Sequence, residues 1–329
     1  MKFTLLKKIR MFLMIFSISL LISLAACNQV NNTSNVSTLD GKLKIVATTT
    51  IVADVVSQVG GEYIDLDVLL PIGADPHGFD PTPQDIAMVA DADVVFANGA
   101  GLEEFLEDLI ESAGADKRTV HVSSGIDLIS LNESHDEEMH DEDSHEEETD
   151  HEHTGVDPHT WTDPNNVIIW VRNIQDALSE IDPSHTEQYS KNAESYTEAL
   201  KNLDKWVVEQ VLLVPADQRV IVTDHTLYSY FNEEYGFTQI GAIIPGYSSM
   251  AEPTAKELAT LEDAINDMDV PAVFVGNTVN PSLAERVTED TGTQLIYLYT
   301  GSLSEQDGPA STYLDYIRYN VEAIVENLK

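Results

Sequence analysis

The chain has 329 residues, enough for two domains once a leader is removed, and 43% of them are hydrophobic, enough for ordinary cores. Its 57 acidic residues against 17 basic ones give a formal charge of -40, a field that repels nucleic acid phosphates and draws in cations. The single cysteine, Cys27, excludes an internal disulfide and a four-cysteine zinc site, so any metal must be held by His, Asp or Glu.

The N-terminus carries Lys2, Lys7, Lys8 and Arg10, then an apolar run over 11–24. That run is shorter than the roughly 20 residues of a membrane span and suits a signal peptide. It ends in Leu24-Ala25-Ala26-Cys27, which resembles a bacterial lipobox. The expectation is a signal peptide over 1–26, cleavage before Cys27, and acyl chains (palmitate among them) on a lipidated tether over 27–41. Several acyl chains anchor stably, because each buried CH₂ contributes about 0.8 kcal/mol. The tether is polar and without apolar periodicity.

From residue 42 the pattern alternates. Strands are expected at 42–50, 64–70, 93–98 and 118–123, with helices at 52–59, 83–90 and 102–112 between them. Residues 132–155 are Asp, Glu and His with almost no apolar side chain, too polar to fold alone. Helical periodicity follows Pro164, is punctuated at Asp182-Pro183, and then runs over 184–213, with Tyr189, Tyr196, Leu200, Leu203 and Val207 on one stripe. A helix of that length spans about 45 Å and suits a rigid spine. Strands then recur at 219–223, 239–244, 272–275 and 294–298, with helices at 227–235, 255–268, 283–291 and 313–328. The fold expected is α/β: two similar lobes, each a mainly parallel sheet flanked by helices, joined by one long rigid helix. The bounds are 42–163 for the first lobe, 164–214 for the helical segment and 215–329 for the second lobe.

Of ten histidines, five (His135, His140, His145, His151 and His153) lie in the acidic run. His121, in a strand, and His185, at a helix start, read as structural. His77 and His159 stand in two segments that echo each other, DPHGFDP (75–81) and DPHTWTDP (157–164). Each sets a histidine between prolines, which restrict the loop, beside carboxylates that can take the spare ring N–H. His225 follows the strand RVIVT, at a carboxyl end where ligands of open α/β sheets gather.

With DPHGFDPTP (75–83), DPHTWTDP (157–164), IDPSHTEQYSKNAESYTEAL (181–200), TDHTLYSYFNEEYG (223–236) and TYLDYIRYN (312–320), nearly all of the mature chain resembles the cluster A-I (cluster 9) metal-binding lipoproteins, the zinc and manganese solute-binding proteins of ABC importers. The resemblance implies an ion in the cleft between the lobes, bound by His77, His159 and His225. It implies a monomer, lipid-anchored on the extracytoplasmic face of the cell membrane, that delivers its ion to an ABC permease with its ATPase. The family places His at the third position in zinc-type members and Glu in manganese-type members, so His225 favours Zn²⁺, with Mn²⁺ as the alternative. The acidic run resembles the His-rich loop of zinc-type members; its plain reading is a solvated charge run. One departure stands out. The family commonly supplies a fourth carboxylate late in the chain, and Gly301 stands there. Asp307, Glu305, Asp224 or water remain candidates for that position.

An enzyme is the competing class, since three histidines and an open position also describe hydrolytic zinc. The chain has no HExxH and no nucleophile elbow, and no turnover is expected. A metal-buffering or adhesion lipoprotein would use the same site and anchor.

Overall fold

The computed structural model describes residues 41–103, 106–130 and 155–329. The leader, Cys27, the tether up to residue 40 and the acidic run over 131–154 lie outside the described residues.

The first sheet holds β1 (Leu43–Ala47), β2 (Ile64–Val68), β3 (Val94–Ala97) and β4 (Thr119–His121), all parallel, in the order β2-β1-β3-β4. Helices α1 (Thr50–Gly60), α2 (Pro83–Asp91) and α3 (Leu106–Ala113) connect them. Residues 48–50 leave the expected strand for a physical reason. Thr49 caps α1, its hydroxyl accepting from the Val52 N–H at 3.2 Å, so the threonines begin the helix. Pro83 opens α2 behind a Thr82–Asp85 capping box.

Two helices follow, α4 (Pro164–Ile181) and α5 (Thr186–Val211). Asp182 ends the first of them: its carboxylate accepts from the Ser184 N–H and from the Tyr189 hydroxyl, and Pro183 starts a short 3₁₀ turn. The long helix has 26 residues, about 39 Å at 1.5 Å per residue. It packs on α4, on α1 and on the last helix of the chain.

The second sheet repeats the first. Strands β5 (Val220–Thr223), β6 (Thr238–Ala242), β7 (Ala272–Gly276) and β8 (Gln294–Leu298) are parallel in the order β6-β5-β7-β8. They alternate with α6 (Ser229–Tyr235), α7 (Ala255–Asp267) and α8 (Ser282–Thr291), and α9 (Tyr313–Leu328) closes the chain. In both sheets the crossover direction reverses beside the first strand, which opens a crevice at the carboxyl ends.

One core joins the lobes. It runs from Leu43, Ile45 and Phe96 through Trp170, Tyr189, Leu200 and Leu203 to Ile221, Phe274, Tyr313 and Tyr316. Two smaller clusters, around Val95 and around Val273, fill the outer face of each sheet. The stripe read from sequence on α5 (Tyr189, Tyr196, Leu200, Leu203 and Val207) is its buried face. Truncating Leu200 to Ala in that core is expected to cost about 2–5 kcal/mol of stability. Truncating exposed Val208 on the same helix should cost no more than about 0.5 kcal/mol. Urea unfolding of the metal-free chain measures both; equal small losses would contradict a shared core along this helix.

Candidate metal centre

The two echoed segments fold alike. In the first, Asp75 Oδ1 accepts from the His77 N–H two residues on, at 3.0 Å. In the second, Asp157 Oδ1 accepts from the His159 N–H at 2.9 Å. Both are short turns in which an aspartate folds the chain back and offers the following histidine. The first emerges beyond β2; the second leads into α4, whose N-cap is Asp163, its side chain accepting from the Asn165 N–H. His225 stands two residues beyond β5, where Asp224 Oδ1 accepts from its N–H at 2.7 Å.

The structure brings these three histidines together. His77 Nε2 and His159 Nε2 are 3.1 Å apart, and His225 Nε2 and His159 Nε2 are 3.2 Å apart. Among the described residues they form the one group of three or more His, Cys, Asp or Glu side chains arranged to hold an ion. His159 and His225 are 2% and 3% exposed; His77 is half-buried. The far nitrogens are engaged. His159 Nδ1–H donates to Asp157 Oδ1 at 2.7 Å, and His225 Nδ1–H to Asp224 Oδ1 at 2.6 Å. That places the proton of each ring on Nδ1 and leaves both Nε2 lone pairs facing inward. Lone pairs at 3.2 Å repel. One shared proton would relieve one pair; a cation at the centre relieves all three. Zinc at 2.0–2.1 Å from each nitrogen of a tetrahedron separates them by about 3.3–3.4 Å, close to the spacing found.

Aromatic residues and one buried acid hold the middle histidine. Trp161 packs edge-on to His159, ring centroids 5.2 Å apart, and its indole N–H donates to Thr300 O and to the Tyr316 hydroxyl. The Tyr313 hydroxyl donates to Trp161 O at 2.8 Å, and the Tyr230 hydroxyl to Asp157 O at 2.7 Å. The second lobe thus grips the loop that carries His159. From the first lobe, Asn98 Nδ2 donates to Pro158 O at 3.0 Å. Glu103 fixes that asparagine: its carboxylate accepts from the N–H groups of Asn98 and Gly99 and from the Thr48 hydroxyl. Burial pushes the Glu103 carboxyl up. The sequence reading passed over these residues. Asn98 and Gly99 follow a strand end directly, with Glu103 four residues beyond Gly99, and the strand-end position is the signal that could have found them.

The fourth-position candidates are placed as follows. Both oxygens of Asp224 are engaged away from the centre, Oδ1 by His225 and Oδ2 by the Gly276 N–H at 2.5 Å. Glu305 and Asp307 are exposed on the loop before α9. Gly301 lines the cavity between the histidines, with Asp75, Pro76, Trp161, Leu227, Thr278 and Thr300 around it. His121 is exposed at the end of β4, and His185 caps α5 and bonds Asp182.

A family model described as zinc-uptake complex component A, periplasmic, matches residues 45–327. The manganese-binding lipoprotein MntA of Halalkalibacterium halodurans is 38% identical over 291 residues, covering 88% of this chain and 90% of that protein. The manganese ABC transporter substrate-binding lipoprotein PsaA of Streptococcus pneumoniae is 32% identical over 329 residues, covering 98% of this chain and 99% of that one. The solved periplasmic zinc binding protein TroA from Treponema pallidum has a TM-score of 0.75 at 24% identity, over 88% of this chain and 99% of that one. It has the same fold.

Burial pushes the His77 and His159 imidazoles below their ordinary range; their histidine neighbours add to this, and Asp157 opposes it at His159. Unfolded imidazoles take up protons below about pH 6.5, and these two folded ones do not. The unfolded chain therefore binds more protons on acidification, and this contribution to stability, full above that pH, is lost as pH falls. Asp163 runs the other way: burial pushes its carboxyl up to about 6, so its contribution weakens as pH rises through that value. Replacing His77 and His159 with Gln is expected to flatten the decline in the thermal midpoint of metal-free protein between about pH 6.5 and 4. An unchanged decline would show that these rings are not held neutral.

Proposed function

The chain belongs to the zinc-uptake component A family of metal ABC transporter substrate-binding proteins, and on that premise we propose that it captures Zn²⁺ through His77, His159 and His225. The observation that carries this reading is the convergence of three ring nitrogens with no carboxylate among them. Imidazole suits zinc, whereas carboxylate, carbonyl and water suit manganese. Three nitrogens and one small ligand complete a tetrahedral zinc ion. The ion is cargo: the family binds and hands on its metal, and no reaction is catalysed.

The chemistry of capture follows from the residues. The net charge of -40 raises the local concentration of cations. The His77 and His159 rings are held neutral by burial before the ion arrives, so uptake at those two does not wait on deprotonation. Asp157 and Asp224 hold two of the rings by their Nδ1 protons, which raises the basicity of the inward nitrogens. Capture ends when a permease with its ATPase takes the ion.

No helix among the described residues is long and apolar enough to cross a membrane. The anchor in this reading is the acylated thiol of Cys27, which holds the protein, a monomer, on the extracytoplasmic face. The His-rich run over 132–155 serves as an accessory that exchanges further ions loosely.

Manganese is the second reading, and the names of the relatives favour it: MntA and PsaA are both called manganese proteins. Competition settles the choice. With both ions offered at equal concentration, zinc is expected to occupy the site and to be displaced only by a strong chelator. Manganese held as tightly would overturn the zinc assignment. Changing His77, His159 and His225 together to Ala should abolish tight binding; retention of one tight zinc would overturn the site.

A further inference from the structure

Beside the imidazoles, Pro76 of the first lobe and Gly301 of the second face each other across the centre. Both line the cavity with the histidines, and the space left is about 10 Å³, too little for an ion together with more than one small further ligand. Gly301 has no left-handed φ to explain it; the backbone there would accept an alanine. Space explains it. An ideal Cβ on residue 301 would lie 2.7 Å from Pro76 Cδ, and 3.1 Å from Pro76 Cγ and from Thr278 Oγ1.

Residue 301 has no route of retreat. On one side, the Thr300 N–H donates to Asn277 Oδ1 at 3.0 Å, and Thr300 O accepts from Trp161 and Tyr316. On the other, Ser302 Oγ accepts from the Gly73 N–H at 2.9 Å and lies 3.3 Å from Thr50 Oγ1. Pro76 is buried in a turn tied down by Asp75, which accepts from the His77 N–H and, through Oδ2, from the Ser249 hydroxyl at 2.5 Å. Any side chain at 301 therefore presses on the Pro76 ring, in the turn that carries His77.

We propose that Gly301 and Pro76 are a specificity-determining pair: their contact across the cleft caps the ion at four ligands, the three imidazoles and at most one small ligand. The cargo class this selects is a divalent ion content with four ligands, as zinc is. Ions that favour octahedral, oxygen-rich surroundings, as manganese does, find no room for the further ligands. The glycine does more than omit a carboxylate, because it lets the opposite lobe close over the place where further ligands would stand. This rests on the reading of His77, His159 and His225 as the ligands.

The test is a four-way comparison of the mature chain: parent, Gly301→Ala, Pro76→Ala, and the double variant. Each is loaded with Co²⁺ for its visible spectrum and titrated with zinc and manganese against chelators. The thermal midpoint of the metal-free protein checks folding. Four-coordinate Co²⁺ absorbs several times more strongly than five- or six-coordinate Co²⁺, so the band reads the cap directly. The parent is expected to show the strong band. Each single variant is expected to lose it, one by pushing the ring away and the other by removing it. The zinc-to-manganese affinity ratio should fall with it by about tenfold or more, the scale of changes just outside a metal's ligands. The double variant should regain both, because the new methyl refills the space left by the ring. A strong band and a parental ratio in Pro76→Ala, which adds no bulk, would overturn the cap and leave the three-histidine reading standing. A weak band in the parent would overturn the cap as well. If that band also ignored the loss of the histidines, the ligand reading would fall with it.

Discussion

Three imidazole nitrogens do not stay face to face in a buried space unless the surrounding structure holds them there. Here Asp157 and Asp224 each take the Nδ1 proton of the adjoining histidine and turn the other nitrogen inward. The inward lone pairs of His159 and His225 stand 3.2 Å apart. Without a cation this arrangement is repulsive, and the folding energy of the rest of the chain has to sustain it. The architecture around the site is understandable as the means of holding it.

Two parallel sheets with the same strand order supply the positions, each turning its carboxyl ends toward the cleft. A common core that includes α4, α5 and α9 joins the lobes from behind. Polar contacts join them at the front. Ser302 reaches Gly73 and Thr50, Ser249 reaches Asp75, and Trp161 reaches Thr300 and Tyr316. The middle histidine therefore belongs to neither lobe alone: Asn98 steadies its loop from the first, and Tyr230, Tyr313 and Tyr316 from the second. The long helix packs on α4, α1 and α9 along the join between the lobes. Met250 is 62% exposed, and its sulfur packs over Gly78 beside His77.

Much of this was legible in the sequence because it is local. Hydrophobic patterning and turn signals marked the strands and α-helices of the described residues but not the short 3₁₀ turns, and the stripe from Tyr189 to Val207 is the buried face of α5. Ends were less legible, because side-chain caps decide them: Thr49 draws a helix out of an expected strand, and Asp182 divides two helices. The echoed Asp-Pro-His turns were visible because an aspartate two residues before a histidine is a short-range signal. What was not legible lies far apart in the chain. Nothing near Gly301 announces Pro76, 225 positions earlier in the same numbering, and nothing near Trp161 announces Thr300 or Tyr316. Asp224 illustrates the difference. By type and position it was a candidate ligand; only the fold shows that its second oxygen belongs to the Gly276 N–H.

The most direct measurement is a crystal structure of the zinc-loaded chain with anomalous differences collected on both sides of the zinc absorption edge. One strong peak is expected in the cleft, at about 2.0–2.1 Å from the Nε2 atoms of His77, His159 and His225, with no protein carboxylate on the ion. A peak held elsewhere, or one that shares the three histidines with an Asp or Glu oxygen, would contradict a centre built from imidazoles alone.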